Sequence, residues 1–242
     1  MNQKWKKPRK RAVRKPRKSA KFSTTTAVAI KKIVKSQMKS VVETKNADYA
    51  LEPLALSSFY HNTWYQIDAD PFYTQQGVED SMVNTAPNRI GDSIYSKNIW
   101  RKLLISKFSD RCNLVIRIVI LKMKAGVAIP SDITANPQLS NRIVAPIDLE
   151  HPSILKAVYD RTFVTNDNVF VYNAAGATPR DVKFMWNHNH KTNEKVTYND
   201  GDFNAQKHTY RLFVCCYDTQ SSLTTDNVAR FSYYRRHHYE DA

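Results

Sequence analysis

Several small groups of side chains have types and spacings that can do chemistry. His188-Asn189-His190 puts two imidazoles on one face of any strand that carries them, because successive strand side chains point to opposite sides. Two imidazoles on one face can begin a metal site. A nuclease reading would add Asp200 or Asp202 as acidic ligands to a divalent metal. The alternative is a structural pair, exposed or hydrogen-bonded at a strand end. Asp68-x-Asp70 and Asp200-Gly201-Asp202 offer hard oxygens that suit calcium. A closed calcium site takes about six or more ligands, however, and turn chemistry accounts for both pairs without an ion. Cys215-Cys216 stands inside an apolar run and reads as two small core residues. His237 and His238 follow Arg235 and Arg236 as a small basic cluster, set against nucleic acid, against a neighbour or in a solvated tail.

The usual frameworks for catalysis are missing from the sequence. Its five glycines are all single, so neither GxxxxGK[ST] nor GxGxxG occurs. There is no GxSxG elbow and no pattern of paired zinc cysteines. The expectation is a protein that is not an enzyme and holds no cofactor or metal.

The elements that must position these groups read as β-strands. Candidates are 41–49, 59–67, 93–108, 113–122, 157–165, 182–191, 210–217 and 228–234. In 113–122, Leu114, Ile116, Ile118 and Ile120 alternate with Val115, Arg117, Val119 and Leu121. In 210–217, Tyr210, Leu212, Val214 and Cys216 alternate with Arg211, Phe213, Cys215 and Tyr217. Both strands are apolar on two faces, which predicts cover on both sides, by the chain itself or by a neighbouring subunit. In 182–191, Val182, Phe184 and Trp186 face one way and Lys183, Met185 and Asn187 the other. All the glycines, and the prolines after residue 40, fall between these candidates. Short helical turns are expected at 78–83 and 152–156. The long connection 125–156 is too extended for a tight-hairpin meander. The expected fold is therefore all-β, a single eight-stranded jelly-roll sandwich over 40–242. The loops 125–141 and 171–180 are expected on its outer surface.

Charge is distributed far less evenly than hydrophobicity. Ten of the first 18 residues are basic: Lys4, Lys6, Lys7, Arg9, Lys10, Arg11, Arg14, Lys15, Arg17 and Lys18. Lys21, Lys31, Lys32, Lys35 and Lys39 follow, and the first acid is Glu43. Of the 37 basic residues, 15 thus lie in the first 39 positions, leaving 22 against 22 acids in the remainder. The net charge of +15 belongs to an N-terminal arm, 1–39, attached to a neutral body. Pro8, Pro16 and like-charge repulsion predict that residues 1 to about 22 of this basic arm are disordered when unbound. Such an arm neutralises phosphates and releases counterions, binding nucleic acid in a tight, salt-sensitive and largely sequence-blind way; the alternative is a solubilising tail without a specific partner. Lys6, Lys7, Arg9, Lys10 and Arg11, around Pro8, also read as a nuclear-import signal for a host import receptor. Within 24–39, Ile30, Ile33, Val34 and Met38 keep helical spacing, while the lysines occupy other faces, giving a short amphipathic segment. That segment suits nucleic acid, a membrane surface or a partner helix, the alternative being a linker that is only partly helical. No run of apolar residues is long enough for a membrane span. The basic start has no apolar stretch behind it, the sequence has no N-x-S/T sequon, and its three cysteines include one adjacent pair. Together these predict synthesis in a reducing compartment rather than secretion.

The order of several short segments resembles a known family. Gln76-Gly77 is followed by Asn88-Arg89-Ile90-Gly91-Asp92-Ser93-Ile94, then Lys97 and the long strand 99–108. Ala157-Val158-Tyr159-Asp160-Arg161-Thr162-Phe163 comes later. With the basic arm, this layout resembles the capsid proteins of circular Rep-encoding single-stranded DNA viruses, including circovirus-like ones. The arm carries more lysine than the arginine-dominated arms common in circoviruses. The resemblance implies a viral coat protein whose copies form a homo-oligomeric, closed icosahedral shell around a circular genome, DNA being favoured over RNA. It further implies a location in the virion, with assembly in the host nucleus. The alternative is a non-viral nucleic-acid-binding module of ribosomal or chromatin type with a basic tail.

Overall fold

The computed structural model describes residues 24–41, 44–51, 58–76, 88–108, 111, 113–128, 130, 132–135, 141–165, 182–219 and 223–242. The chain divides into two units, Met1–Val42 and Glu43–Ala242. The described element of the first is helix α1, Thr24–Val41, which contains the 24–39 segment.

The second unit is built of strands: β1 (Thr44–Leu51), β2 (Ser58–Tyr60), β3 (Thr63–Asp68), β4 (Gln75–Gln76), β5 (Asn88–Arg89), β6 (Ser93–Lys107), β7 (Leu114–Lys124), β8 (Ile154–Val164), β9 (Lys183–Thr197), β10 (His208–Asp218) and β11 (Asn227–Asp241). One antiparallel sheet has the order β1-β11-β6-β9, with β2 also paired to β11. A second antiparallel sheet has the order β10-β7-β8, and β4 and β5 form a short parallel pair.

The doubly apolar strands explain the layering. On one face of the second sheet, Leu114, Ile116, Ile118 and Ile120 of β7 join Leu212, Val214 and Cys216 of β10. These share a core with Ile99, Leu103 and Ile105 of β6 and with Phe231 and Tyr233 of β11, so the two sheets bury one apolar layer. On the opposite face, Val119, Leu121, Met123, Phe213 and Cys215 are covered by Trp64, Ile133 and Ile143. The chain therefore supplies both covers itself. At about 1.5–3 kcal/mol per fully buried aliphatic side chain, the two layers dominate the folding energy.

The loop expected on the outer surface, 125–141, overlies the outer face of the second sheet, with most of its described residues at least partly exposed and two of them turned inward. Gly126 and Val127 are exposed, but Ile133 and Thr134 are buried. Arg117 clamps the returning segment, its Nη1 donating to the carbonyls of Arg142 (3.0 Å), Ile143 (3.2 Å) and Ala145 (2.5 Å). The same guanidinium holds Asp160 of β8 in a fork, at 2.9 and 2.6 Å. Residues 136–140 and 171–180 lie outside the described residues, as does the helical turn expected at 78–83.

Other boundaries move for identifiable reasons. The single strand expected at 59–67 is two, because Asn62 takes a left-handed φ of 53°, which asparagine tolerates. The break lets β2 pair with β11 in the first sheet while β3 lies beside β10 of the second. The helical turn expected at 152–156 is instead a turn leading into β8, which starts at Ile154. Strand β9 runs to Thr197 and β11 to Asp241, both beyond their expected ends, because polar residues continue the inward face there.

One ionic cluster lies between the layers. Asp68, at the end of β3, accepts from Arg101 Nε (3.2 Å), Arg235 Nη1 (2.6 Å) and the Tyr233 hydroxyl (2.9 Å). All four side chains are buried. Arg101 also donates to the Tyr210 carbonyl (3.0 Å) and Arg235 to the Asp70 carbonyl (3.0 Å). Replacing Asp68 by Asn is expected to destabilise the fold by about 3–5 kcal/mol, since it strands two guanidiniums away from water. Substituting Asp48, whose pairing with Arg236 lies at the surface, is expected to cost far less. Urea unfolding of the two variants checks this, and equal losses would contradict it.

Candidate functional site

The basic arm is the leading candidate from sequence. Lys4, Lys6, Lys7, Arg9, Lys10, Arg11, Arg14, Lys15, Arg17, Lys18 and Lys21, the import-signal residues among them, lie outside the described residues. Lys31 and Lys32 lie on α1 and are exposed, and Lys35 falls within the helix span with its side chain outside the described set. Ile30, Ile33 and Val34 are exposed as well, spaced three and four apart on one helical face. A lysine is a compact, mobile charge on a flexible stem, so these exposed side chains impose no single geometry on an anion. No helix among the described residues is long and apolar enough to cross a membrane.

The histidine motif is positioned by β9, whose even-numbered residues point between the sheets. Trp186 and His188 stack at 5.4 Å and 7°, and His188 and His190 continue the ladder at 6.4 Å and 12°. Tyr159 of β8 lies 4.6 Å from His188 and accepts a hydrogen bond from Trp186 Nε1 at 3.0 Å. Tyr210 of β10 lies 4.7 Å from His190. The two imidazoles are rungs of a packed aromatic ladder. Burial, reinforced by the positive charges of Arg101 and His190, pulls His188 down to about 4. Burial lowers His190 in the same direction, with Arg101 contributing. Farther along this face stands Glu194. Burial would raise it, but hydrogen bonds from His208, Tyr210 and Lys122 outweigh that and hold it at about 2.

The other candidates separate. Strand β9 advances about 3.3 Å per residue, so roughly 20 Å of strand lies between His190 and Thr197, before Asp200 and Asp202 begin. Asp202 instead accepts from Phe203 N (2.9 Å), and Gly201 takes a positive φ of 72°, which is turn chemistry. Asp70 accepts from Phe72 N (3.0 Å) and Thr209 (2.8 Å), while Asp68 belongs to the ionic cluster. Cys215 and Cys216 point to opposite faces, and burial pushes the Cys215 thiol up to about 12. Among the described residues no group of three or more His, Cys, Asp or Glu is placed to hold a metal.

The Arg235–His238 cluster is no tail. It lies in β11, with Arg235 and His237 inside and Arg236 and His238 on the outer face. His237 is fully buried beside Ser96 (2.8 Å), and burial, with Arg235 nearby, drives it down to about 3. Arg89 of the Asn88–Asp92 segment is also buried. It lies 4.2 Å over the Tyr198 ring, donates to the Gly91 carbonyl and reaches the Asp202 carbonyl at 2.5 Å, while Gly91 takes a φ of 83°. This turn ties the start of β6 to the loop after β9.

Sequence reading missed the buried cluster of Asp68, Arg101 and Arg235. Its signal was available: Arg101 between Ile99 and Leu103, and Arg235 after Tyr233, are charges in apolar register. No protein-family model matches the chain, and no curated protein matches it either.

A histidine whose folded-state value is depressed stabilises the fold above its unfolded value near 6.5, and that stability is lost as pH falls toward the folded value. Thermal melts should therefore show the loss between pH 6.5 and 4 shrinking in a His188→Phe variant. Parallel pH profiles for the variant and the parent would contradict this. Glu194, low already, enters only below its ordinary range of about 4.5.

Proposed function

We propose that this chain is a viral coat protein of the circular Rep-encoding single-stranded DNA type, with a jelly-roll shell domain and a basic arm that packages the genome. The observation that carries the reading is the charge division: 15 cations and no acids in residues 1–39, then 22 of each. A neutral body can pack beside copies of itself without mutual repulsion, while many arms pool their charge on an enclosed polyanion.

The strand order supports the jelly-roll part of this reading. Sheet neighbours are mostly non-consecutive, with β1 beside β11, β6 beside β9 and β10 beside β7. The chain passes from the first sheet to the second between β6 and β7, returns at β9, crosses at β10 and returns at β11. If β3, which lies along β10, is counted with the three-stranded second sheet, this reading has four strands on each side, β1-β11-β6-β9 and β3-β10-β7-β8. In this reading the import-like signal brings the protein to the host nucleus, where shells close on single-stranded DNA.

Size-exclusion chromatography with light scattering, read at 260 and 280 nm and followed by negative-stain microscopy, tests assembly and packaging together. The expected result is uniform closed particles holding nuclease-protected nucleic acid. A monodisperse monomer or dimer across salt and pH would instead favour a basic-tailed nucleic-acid-binding module. Removing residues 1–39 is expected to leave a folded body whose retained nucleic acid falls at least about tenfold, given how many phosphate contacts go with it. Unchanged retention would rule out packaging by the arm.

A further inference from the structure

The face of the β1-β11-β6-β9 sheet turned away from the core is neither apolar nor neutral. Register aligns its side chains into rungs across the strands. One rung runs Asp48, Arg236, Trp100, Asn189, and the next Ala50, Tyr234, Lys102, Asn187. On the other side of the first, His238, Asn98 and Lys191 align. Each strand contributes every second residue, so rungs recur about every 6.8 Å along the face.

Its composition is aromatic, cationic and amide-bearing. Trp100 and Tyr234 meet edge to face at 5.8 Å, and the Lys102 ammonium lies 4.5 Å over the indole. Asn98 donates to Asn189 at 2.9 Å, leaving further amide groups along an exposed strand. Two carboxylates lie on this face, and both are engaged: Asp48 with Arg236 at 2.7 and 2.8 Å, and Glu240 with Lys97 at 2.7 Å. Among the described residues no carboxylate pairs with Lys102, Lys183 or Lys191, all of them exposed. The neutral body thus carries a local positive surplus on one flat side.

We propose that this face is a second binding surface for single-stranded nucleic acid. Bases stack on the Trp100–Tyr234 pair, Lys102 and Lys191 meet phosphates, and the Asn98, Asn187 and Asn189 amides take base edges. A duplex hides its base faces and offers the rings nothing to stack on, so the surface selects unpaired strands. The assignment rests on the arm reading in one respect: the arm's charge holds the polyanion near the body, and the sheet then engages it.

The test uses the full chain and a single-stranded DNA oligonucleotide carrying bromodeoxyuridine, with ultraviolet crosslinking mapped by mass spectrometry. Crosslinks are expected at Trp100 or Tyr234 in addition to the arm. In the full-length Lys102→Glu, Lys191→Glu double variant, checked for an unchanged melting temperature, the slope of log K against log salt is expected to shrink by about 1.4, at about 0.7 per phosphate contact. Crosslinks confined to residues 1–42, with an unchanged slope, would overturn the sheet surface and leave the arm reading standing. Absence of any crosslink or salt-dependent binding would remove both.

Discussion

The fold depends on a single buried carboxylate. Asp68 sits between Arg101 of β6 and Arg235 of β11 and takes the Tyr233 hydroxyl as well, so one residue of β3 holds two strands of the facing sheet. Burying these charges costs solvation that the pairing repays only when the geometry is right. Burial opposes the charge on Arg235, yet Asp68 and Tyr233 more than offset it. Apolar contacts tolerate sliding, whereas this cluster does not. A one-residue slip of β6 or β11 would turn its arginine to the outer face and take from Asp68 one of its two buried guanidinium partners. The cluster therefore specifies register more than it adds stability.

A similar logic governs the outside of the second sheet. Arg117 links β7 to β8 through Asp160 and fastens the 142–145 segment over Val119, Leu121, Phe213 and Cys215. Carbonyls that would otherwise be buried without donors receive them from one guanidinium. Between the sheets, the Trp186, His188 and His190 ladder fills the edge where β8 and β9 meet solvent on one side. Rings that are polar at their rim and apolar on their face suit a boundary of that kind.

The layered β architecture was legible in the sequence because Ile116, Ile118, Leu212 and Val214 repeat with period two without a charged interruption on the inward face. Legibility failed where inward positions are polar. Glu194 continues β9 and His237 continues β11, and each reads as a strand end until its buried partners are known. Asn62 hides a break because asparagine is common in ordinary coil as well as in left-handed turns. The charge division was fully visible, being a property of position alone. The basic outer face was invisible, since Trp100 and Lys102 of β6, Tyr234 of β11 and Lys191 of β9 come from strands far apart in sequence and share a face only through register.

The pairing of β1 with β11 brings Thr44 opposite Glu240 and Leu51 opposite Tyr233. β11 also pairs with β2 and β6, so Asn227–Asp241 forms the middle of the larger sheet. Closing a loop of that length carries an entropic cost that no early local contact offsets. During synthesis, β1, β2 and one edge of β6 therefore wait for a strand made long after them. The basic residues 4–39 are synthesised before the strands of the body. The cell therefore meets that charge before it meets the shape of the sheets.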